Sequence, residues 1–204
     1  NLAEDNQQKK GWHGSFGQQV ASFKTFKTSL AATYSGLKFS SKTTFTSDKS
    51  ANDFEYTNLY TLPASTEKRQ HAAYKQFHIN QFVDFKLNNW QKVEAEVWYN
   101  KAERQTPNSI LVNKPAVALL NDTYLRSRLN WLFANRKTKI NVAYAFLYEW
   151  QTFQDSTVTD IYGEELFDTN ITASHVFQAN HQTQIGQNLQ WQNSAEYLHY
   201  LQAA

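Results

Sequence analysis

The chain has no cysteine and no methionine, and its 204 residues include only 3 prolines and 6 glycines. Without cysteine there is no thiolate nucleophile, no Cys-ligated zinc and no disulfide framework. No run approaches the ~20 consecutive apolar residues a membrane helix requires; the longest candidate, residues 115–120, is far too short. The net charge of +2 is too small to point to a nucleic-acid partner on electrostatic grounds. Catalytic signatures are missing as well: there is no Gly-x-Ser-x-Gly, no His-Glu-x-x-His, no P-loop and no Gly-x-Gly-x-x-Gly. The chain opens on Asn-Leu-Ala, with neither a secretory signal nor an initiating methionine, and is expected to be part of something longer. An enzyme is not expected, nor a metal or other cofactor.

What is abundant is aromatic and amide. Phe, Tyr and Trp together number 31, and 18 Asn with 18 Gln nearly match the 38 charged residues. Order in such a chain must come from β-structure, and the dominant period is two. Val142, Tyr144, Phe146, Tyr148 and Trp150 alternate with Asn141, Ala143, Ala145, Leu147 and Glu149. A helix would scatter those aromatics around its circumference, whereas a strand puts all of them on one face. The same alternation sets Val93, Ala95, Val97 and Tyr99 against Lys92, Glu94, Glu96 and Trp98. It sets Phe77, Ile79, Val83 and Phe85 against His78, Asn80, Phe82 and Asp84, and Leu125, Leu129, Trp131 and Phe133 against Tyr124, Arg126, Arg128 and Asn130. Weaker versions bring the expected total to about nine strands: 12–22, 26–34, 37–45, 77–87, 92–101, 123–133, 141–153, 171–183 and 189–197.

The connections alternate in length. Tight turns are expected at 35–36, 88–89, 135–138 and 185–188, and long links over 47–73, 103–122 and 155–170. The tight turns at Gly36, Asn89, Arg136 and Gly186 are 53, 47 and 50 residues apart. This is the rhythm of an up-and-down antiparallel meander with short turns at one end and long loops at the other. Soluble sandwiches mix loop lengths at both ends, whereas outer-membrane barrels segregate them. Strands of about ten residues, rising ~3.4 Å each and tilted ~45°, cross a ~25 Å apolar band. The fold expected is therefore all-β: about nine strands of a transmembrane β-barrel, a partial barrel. Its apolar face meets lipid on the convex side and its polar face lines the concave interior. Trp12, Trp90, Trp131, Trp150 and Trp191 fall near strand ends or upper thirds, where aromatic girdles belong.

Three stretches carry a resemblance. Asn1-Leu2 followed by Gly11-Trp12-His13-Gly14-Ser15-Phe16-Gly17 resembles the exit from the plug into the first barrel strand of TonB-dependent outer-membrane receptors. Asn52-Asp53-Phe54-Glu55-Tyr56-Thr57-Asn58 is similar to the Asn-Asp-Phe-Pro-Tyr-x-Asn run in the second outer loop of a cobalamin-receptor-like branch, with Glu55 where that branch has proline. Trp98-Tyr99-Asn100 with Arg104-Gln105-Thr106-Pro107 resembles the same branch at its third loop. The order and spacing of all three agree with that branch along the whole chain. The resemblance implies residues 1–10 as the exit from an absent plug domain and 11–204 as the first part of a barrel of about 22 strands. It implies a segment of an energised transporter in the outer membrane of a Gram-negative bacterium, importing a large scarce nutrient such as cobalamin or a ferric chelate. The partners implied are outer-membrane lipid, the protein's own plug, the TonB energy-coupling protein acting through absent segments, and the small-molecule ligand.

Two groups of residues are candidates for the work. In the 47–73 link, Phe54, Tyr56, Tyr60 and Arg69, beside Lys68 and His71, combine rings with cations. Such a set suits a large, flat, polar ligand, because rings stack and Arg pairs with phosphate or carboxylate; an ordinary exposed loop would also fit. Asp48, Asp53 and Glu55 could offer oxygen ligands to calcium, though without EF-hand spacing. In the strands, Glu94 and Glu96 should face Arg126 and Arg128 across an antiparallel pair, with Glu149 on the same face. That set reads either as ion pairs stiffening the wall or as a plug-facing wall. His175 and His181 share a face but lie about 20 Å apart along it, too far to share a metal, and are expected near the membrane interfaces. Two other functions compete: a passive porin-type barrel, and a soluble carbohydrate-binding β-sandwich.

Overall fold

The computed structural model describes residues 10–109, 116–159 and 161–203. Eleven strands follow one another: β1 (Gly11–Ala21), β2 (Thr25–Ser35), β3 (Phe39–Ser50), β4 (Glu55–Asn58), β5 (Ser65–Lys68), β6 (Tyr74–Lys86), β7 (Gln91–Thr106), β8 (Ala118–Ala134), β9 (Thr138–Thr159), β10 (Glu165–Ile185) and β11 (Leu189–Ala203). Nine of them form one antiparallel sheet in the order β1-β2-β3-β6-β7-β8-β9-β10-β11, and β4 with β5 makes a separate hairpin. Every partner in the large sheet is the next strand of that meander, with no crossing connection. The sheet is not closed: β1 pairs only with β2, and β11 only with β10. The expected nine-stranded meander is what folds. A sandwich would need a second sheet packed on the first, and the only other sheet among the described residues is the small hairpin. The expected plug exit at residues 1–10 lies outside the described residues apart from Lys10.

The turns are built from local chemistry. At the β8–β9 turn the Asn135 side-chain oxygen accepts from the backbone N–H groups of Lys137 (2.9 Å) and Thr138 (2.7 Å). Asn88 accepts likewise from the Trp90 N–H (2.8 Å). These are Asx turns, in which a short amide or carboxyl side chain mimics a backbone acceptor. Gly186 turns β10 into β11 at φ +69°, a conformation that other L-residues adopt only with strain. All the short turns of the sheet except β1–β2 lie at one end. At the opposite end lie the 51–73 link, the ends of β7 and β8, the ends of β9 and β10, and the β1–β2 turn.

All three long links differ from expectation. Residues 155–159 and 165–170 continue as strand, with a register shift between Glu165 and Leu166, and β7 and β8 reach Thr106 and Ala118. Link 51–73 contains the β4–β5 hairpin. Where both faces of a strand are polar, alternation fades while the hydrogen-bonded ladder continues.

Register fixes which residues share a face. One row crosses all nine strands: Phe16, Leu30, Phe45, Ile79, Tyr99, Leu125, Tyr148, Ala173 and Leu201. On the same face, toward the short turns, lies the row Trp12, Tyr34, Ser41, Val83, Ala95, Leu129, Tyr144, Phe177 and Tyr197. Its rings touch one another: Trp12–Tyr34 centroids are 5.2 Å apart and Tyr144–Phe177 4.7 Å. Trp12, Trp131 and Trp191 sit toward the short-turn end of this face, and Trp150 toward the other.

The described residues form no core behind this sheet. The buried apolar side chains among the described residues are Ala72, Ala102 and Ala118, and none of the large side chains is fully buried. The exposed large apolar side chains within the paired ladder all belong to the face just described, except Leu198 and Tyr200 on the edge strand β11. His175 is also on this face, but mid-strand rather than near an end. It bonds the Tyr144 hydroxyl (2.9 Å) and stands opposite His199, with ring centroids 6.2 Å apart.

Candidate functional site

The polar face of β6–β9 is a cross-strand network. Of the expected carboxylate–guanidinium oppositions, register places only Glu96 against Arg128; Glu94 faces Asn130, and Arg126 faces Trp98. The ion pairs follow different lines. Lys92 reaches Glu94 (2.6 Å) and Asp84 (3.7 Å), and Arg104 reaches Asp122 (2.8 Å). Arg126 pairs with Glu149 on β9 while its guanidinium lies over the Tyr124 ring, 4.5 Å from the centroid. Glu96 accepts from the Asn80 amide (2.9 Å), and Glu94 also accepts from Asn130 (3.1 Å). Glu94, Glu96, Arg126, Arg128 and Glu149 therefore share one face, but the carboxylates take their partners from Lys92, Asn80 and the next strand over. Arg128 has no carboxylate within ion-pair distance among the described residues. Two buried acceptors on this face, Asn130 Oδ1 and Asn141 Oδ1, lack a hydrogen-bond donor there.

Above the sheet, link 51–73 is a folded unit. The β1–β2 turn places Phe23 (φ 60°) and Lys24 (φ 56°) in the left-handed region, and the Phe23 carbonyl accepts from Ala51 N (3.1 Å), Asn52 N (3.3 Å) and Ser50 Oγ (3.0 Å). The Lys24 ammonium binds the Asp53 carboxylate at 2.9 Å, and the Phe23 and Phe54 rings meet edge to face at 5.9 Å. That hydrogen bond from Lys24 holds the Asp53 carboxyl below its usual value. The base of the β4–β5 hairpin is closed by the Arg69 N–H bonding the Phe54 carbonyl (2.8 Å). Within the hairpin, Glu67 accepts from Ser65 Oγ (2.7 Å), Asn58 Nδ2 (3.1 Å) and the Tyr56 hydroxyl (3.0 Å). These three donors lower the Glu67 pKa, and the bond to Glu67 raises that of Tyr56.

The structure thus brings Phe54 and Tyr56 together, with ring centroids 6.5 Å apart, and puts Arg69 at the same end of the hairpin. Tyr60 is elsewhere, at the tip, where it is exposed beside Leu59 and Leu62, the latter 98% exposed. The Tyr56 hydroxyl is committed to Glu67, so this ring offers a ligand its face rather than its hydroxyl. His71 belongs to the framework, its Nε2 2.8 Å from the Ala118 carbonyl. Asp48, Asp53 and Glu55 do not converge: they meet Tyr74, Lys24 and Lys68 separately. No three His, Asp or Glu side chains among the described residues come close enough to hold a metal ion.

The sequence reading missed Leu59 and Leu62 at the tip, and Phe23 and Glu67 beneath it. Pro63 marks the turn that exposes the two leucines. Glu67 carries no signal beyond being an acid in a short strand. Among the described residues no helix is long and apolar enough to cross a membrane, and the all-β architecture is compatible with an outer-membrane β-barrel. Compared with models of known families and with characterised proteins, the chain matches none.

Proposed function

We propose that this chain is part of the wall of an outer-membrane β-barrel transporter of the energised, plugged kind. The observation that carries the reading is the division of a coreless sheet into two chemically opposite faces. One face exposes nearly all the large apolar side chains of the ladder, and the other holds the ion pairs and amides. In water such a sheet would leave an apolar surface far larger than a soluble monomer tolerates; in a bilayer the same surface is satisfied by lipid. The free edges of β1 and β11 call for further strands to close the barrel, because each unpaired N–H or C=O in hydrocarbon costs several kcal/mol.

Arg128 and the unpaired acceptors of Asn130 and Asn141 support a layer covering the polar face, since a docked plug would bring the missing anion and donors. The outer hairpin, with Phe54, Tyr56, Tyr60 and Arg69, captures the ligand, a large polar molecule such as cobalamin or a ferric chelate. The test is binding of both ligand types to the purified full-length protein, with Tyr60→Ala and Arg69→Ala as variants. Tight binding of either ligand, weakened by the two substitutions, supports the assignment. Free passage of small solutes through the intact protein, without an energising partner, would replace it with a passive porin.

A further inference from the structure

The apolar face carries almost no charge. Following register across the nine-stranded ladder, short of the irregular β9–β10 end at Glu165, its Lys, Arg, Asp and Glu residues are Lys49, Lys75, Lys101 and Glu103, and all four lie toward the long-loop end. They stand on three neighbouring strands in two adjacent rows. Lys49 faces Lys75, Lys75 faces Glu103, and Lys101 faces Phe77 one row lower. Like charges directly opposite one another on a sheet are destabilising. Lys75 finds Glu103 at 2.8 Å, but Lys49 has only the Phe26 ring, 5.7 Å from its ammonium, and neither it nor Lys101 has a carboxylate within ion-pair distance among the described residues. Three cations thus share one carboxylate, where the rest of this face is neutral.

Beside them the surface is concave. A recess of about 510 Å³ is lined by Lys24, Phe26, Lys49, Lys75, Glu103 and Leu119, among others. Immediately below it the face is apolar again, with Phe77, then Phe45, Ile79 and Tyr99. From the Lys49 row down to Phe39 is ten residues, about 34 Å along the strand and roughly 24 Å of depth at ~45° tilt, close to the thickness of the apolar band of a barrel.

We infer that this recess is a binding site for a phosphorylated, acylated lipid of the outer leaflet, its phosphate held between Lys49 and Lys75 with Lys101 reaching up from below. Long lysine stems lie along apolar surface while their ammonium groups rise to the headgroup level, and charge-assisted bonds to phosphate oxygens offset the repulsion between Lys49 and Lys75. The acyl chains run down over Phe77 and Ile79. The inference rests on the membrane orientation proposed above.

The experiment uses the full-length protein in mixed micelles holding equal amounts of phosphatidic acid and phosphatidylcholine with identical acyl chains, and native mass spectrometry reads which lipid is retained. Preferential retention of phosphatidic acid is expected. It should fall about fivefold for each of Lys49→Gln and Lys75→Gln, and remain unchanged in Lys42→Gln, on the opposite face. Equal retention of both lipids, or no effect of the two substitutions, overturns the site. Displacement of phosphatidic acid by inorganic phosphate at equal concentration would show a free-phosphate site instead and overturn the lipid assignment. Insertion into phosphatidylcholine vesicles, read as heat-resistant electrophoretic migration, is measured in parallel. A protein that inserts without lipid preference loses only this site, whereas one that fails to insert loses the transporter reading with it.

Discussion

At the scale of single residues, the tightest construction is the anchor under the β4–β5 hairpin. Phe23 and Lys24 occupy left-handed backbone at a cost of about 1 kcal/mol each, a conformation that glycine or asparagine would adopt more easily. Three donors on the Phe23 carbonyl and the Lys24–Asp53 pair hold it there. Nothing in a Phe-Lys dipeptide signals such a turn, so the anchor was not legible in the sequence; Asn135 and Gly186, whose chemistry makes their turns locally, were. The Asp53 pKa lies below its ordinary 3.8 in the folded loop. A depressed acid contributes stability that is present above its unfolded pKa and lost as pH falls through the folded one. Protease cleavage of the 51–73 link should therefore be slow and constant from neutral pH to about pH 4, then accelerate below it. Asp53→Asn should cleave faster at neutral pH with a weaker acid dependence, because the Lys24 contact is lost at every pH. An unchanged cleavage profile in that variant would show that the anchor does not depend on this pair.

At the scale of elements, the strands were readable where the two faces differ and unreadable where they do not. Tyr144, Phe146 and Tyr148 alternate with Ala143, Ala145, Leu147 and Glu149, none of them aromatic, and place the middle of β9 correctly. Beyond Phe153 both faces are polar except at Val158, and the strand runs on to Thr159 with no periodic trace. The wall charges were legible as a set but not as pairs. Which carboxylate meets which cation depends on diagonal reach, and Arg126 chose Glu149 on β9 over the carboxylates of β7. Neighbouring residues on one strand give the sharpest test of the face assignment. Ala173 lies on the apolar face and Ser174 on the polar one, each in mid-strand. Ala173→Arg should destabilise the folded barrel by about 2–4 kcal/mol in a bilayer, and Ser174→Arg by much less. Urea titration of both variants in vesicles would measure the difference, and equal losses would mean that the faces are wrongly assigned.

At the scale of the whole molecule, the sheet-wide meander was legible from the regular recurrence of turns, because each strand pairs with the next one of the sheet and topology then follows from order alone. The small hairpin was not: four-residue strands are too short to display a period. The same neighbour-only pairing has a mechanical consequence. In a sandwich, pulling on one end loads a core shared by distant segments, which breaks in a single event. Here each strand is held only by the two beside it, and β11 within this segment by β10 alone, so in a variant truncated after Ala203 tension applied at that residue meets one hairpin at a time. Extraction from a supported bilayer by a force probe should give a staircase of ruptures. The first should release β10 and β11 together, residues 165–203, as a contour step of roughly 13–14 nm at ~3.3–3.6 Å per residue. Later steps should follow hairpin by hairpin back along the chain, and a single rupture of the entire sheet would contradict this sequential unzipping.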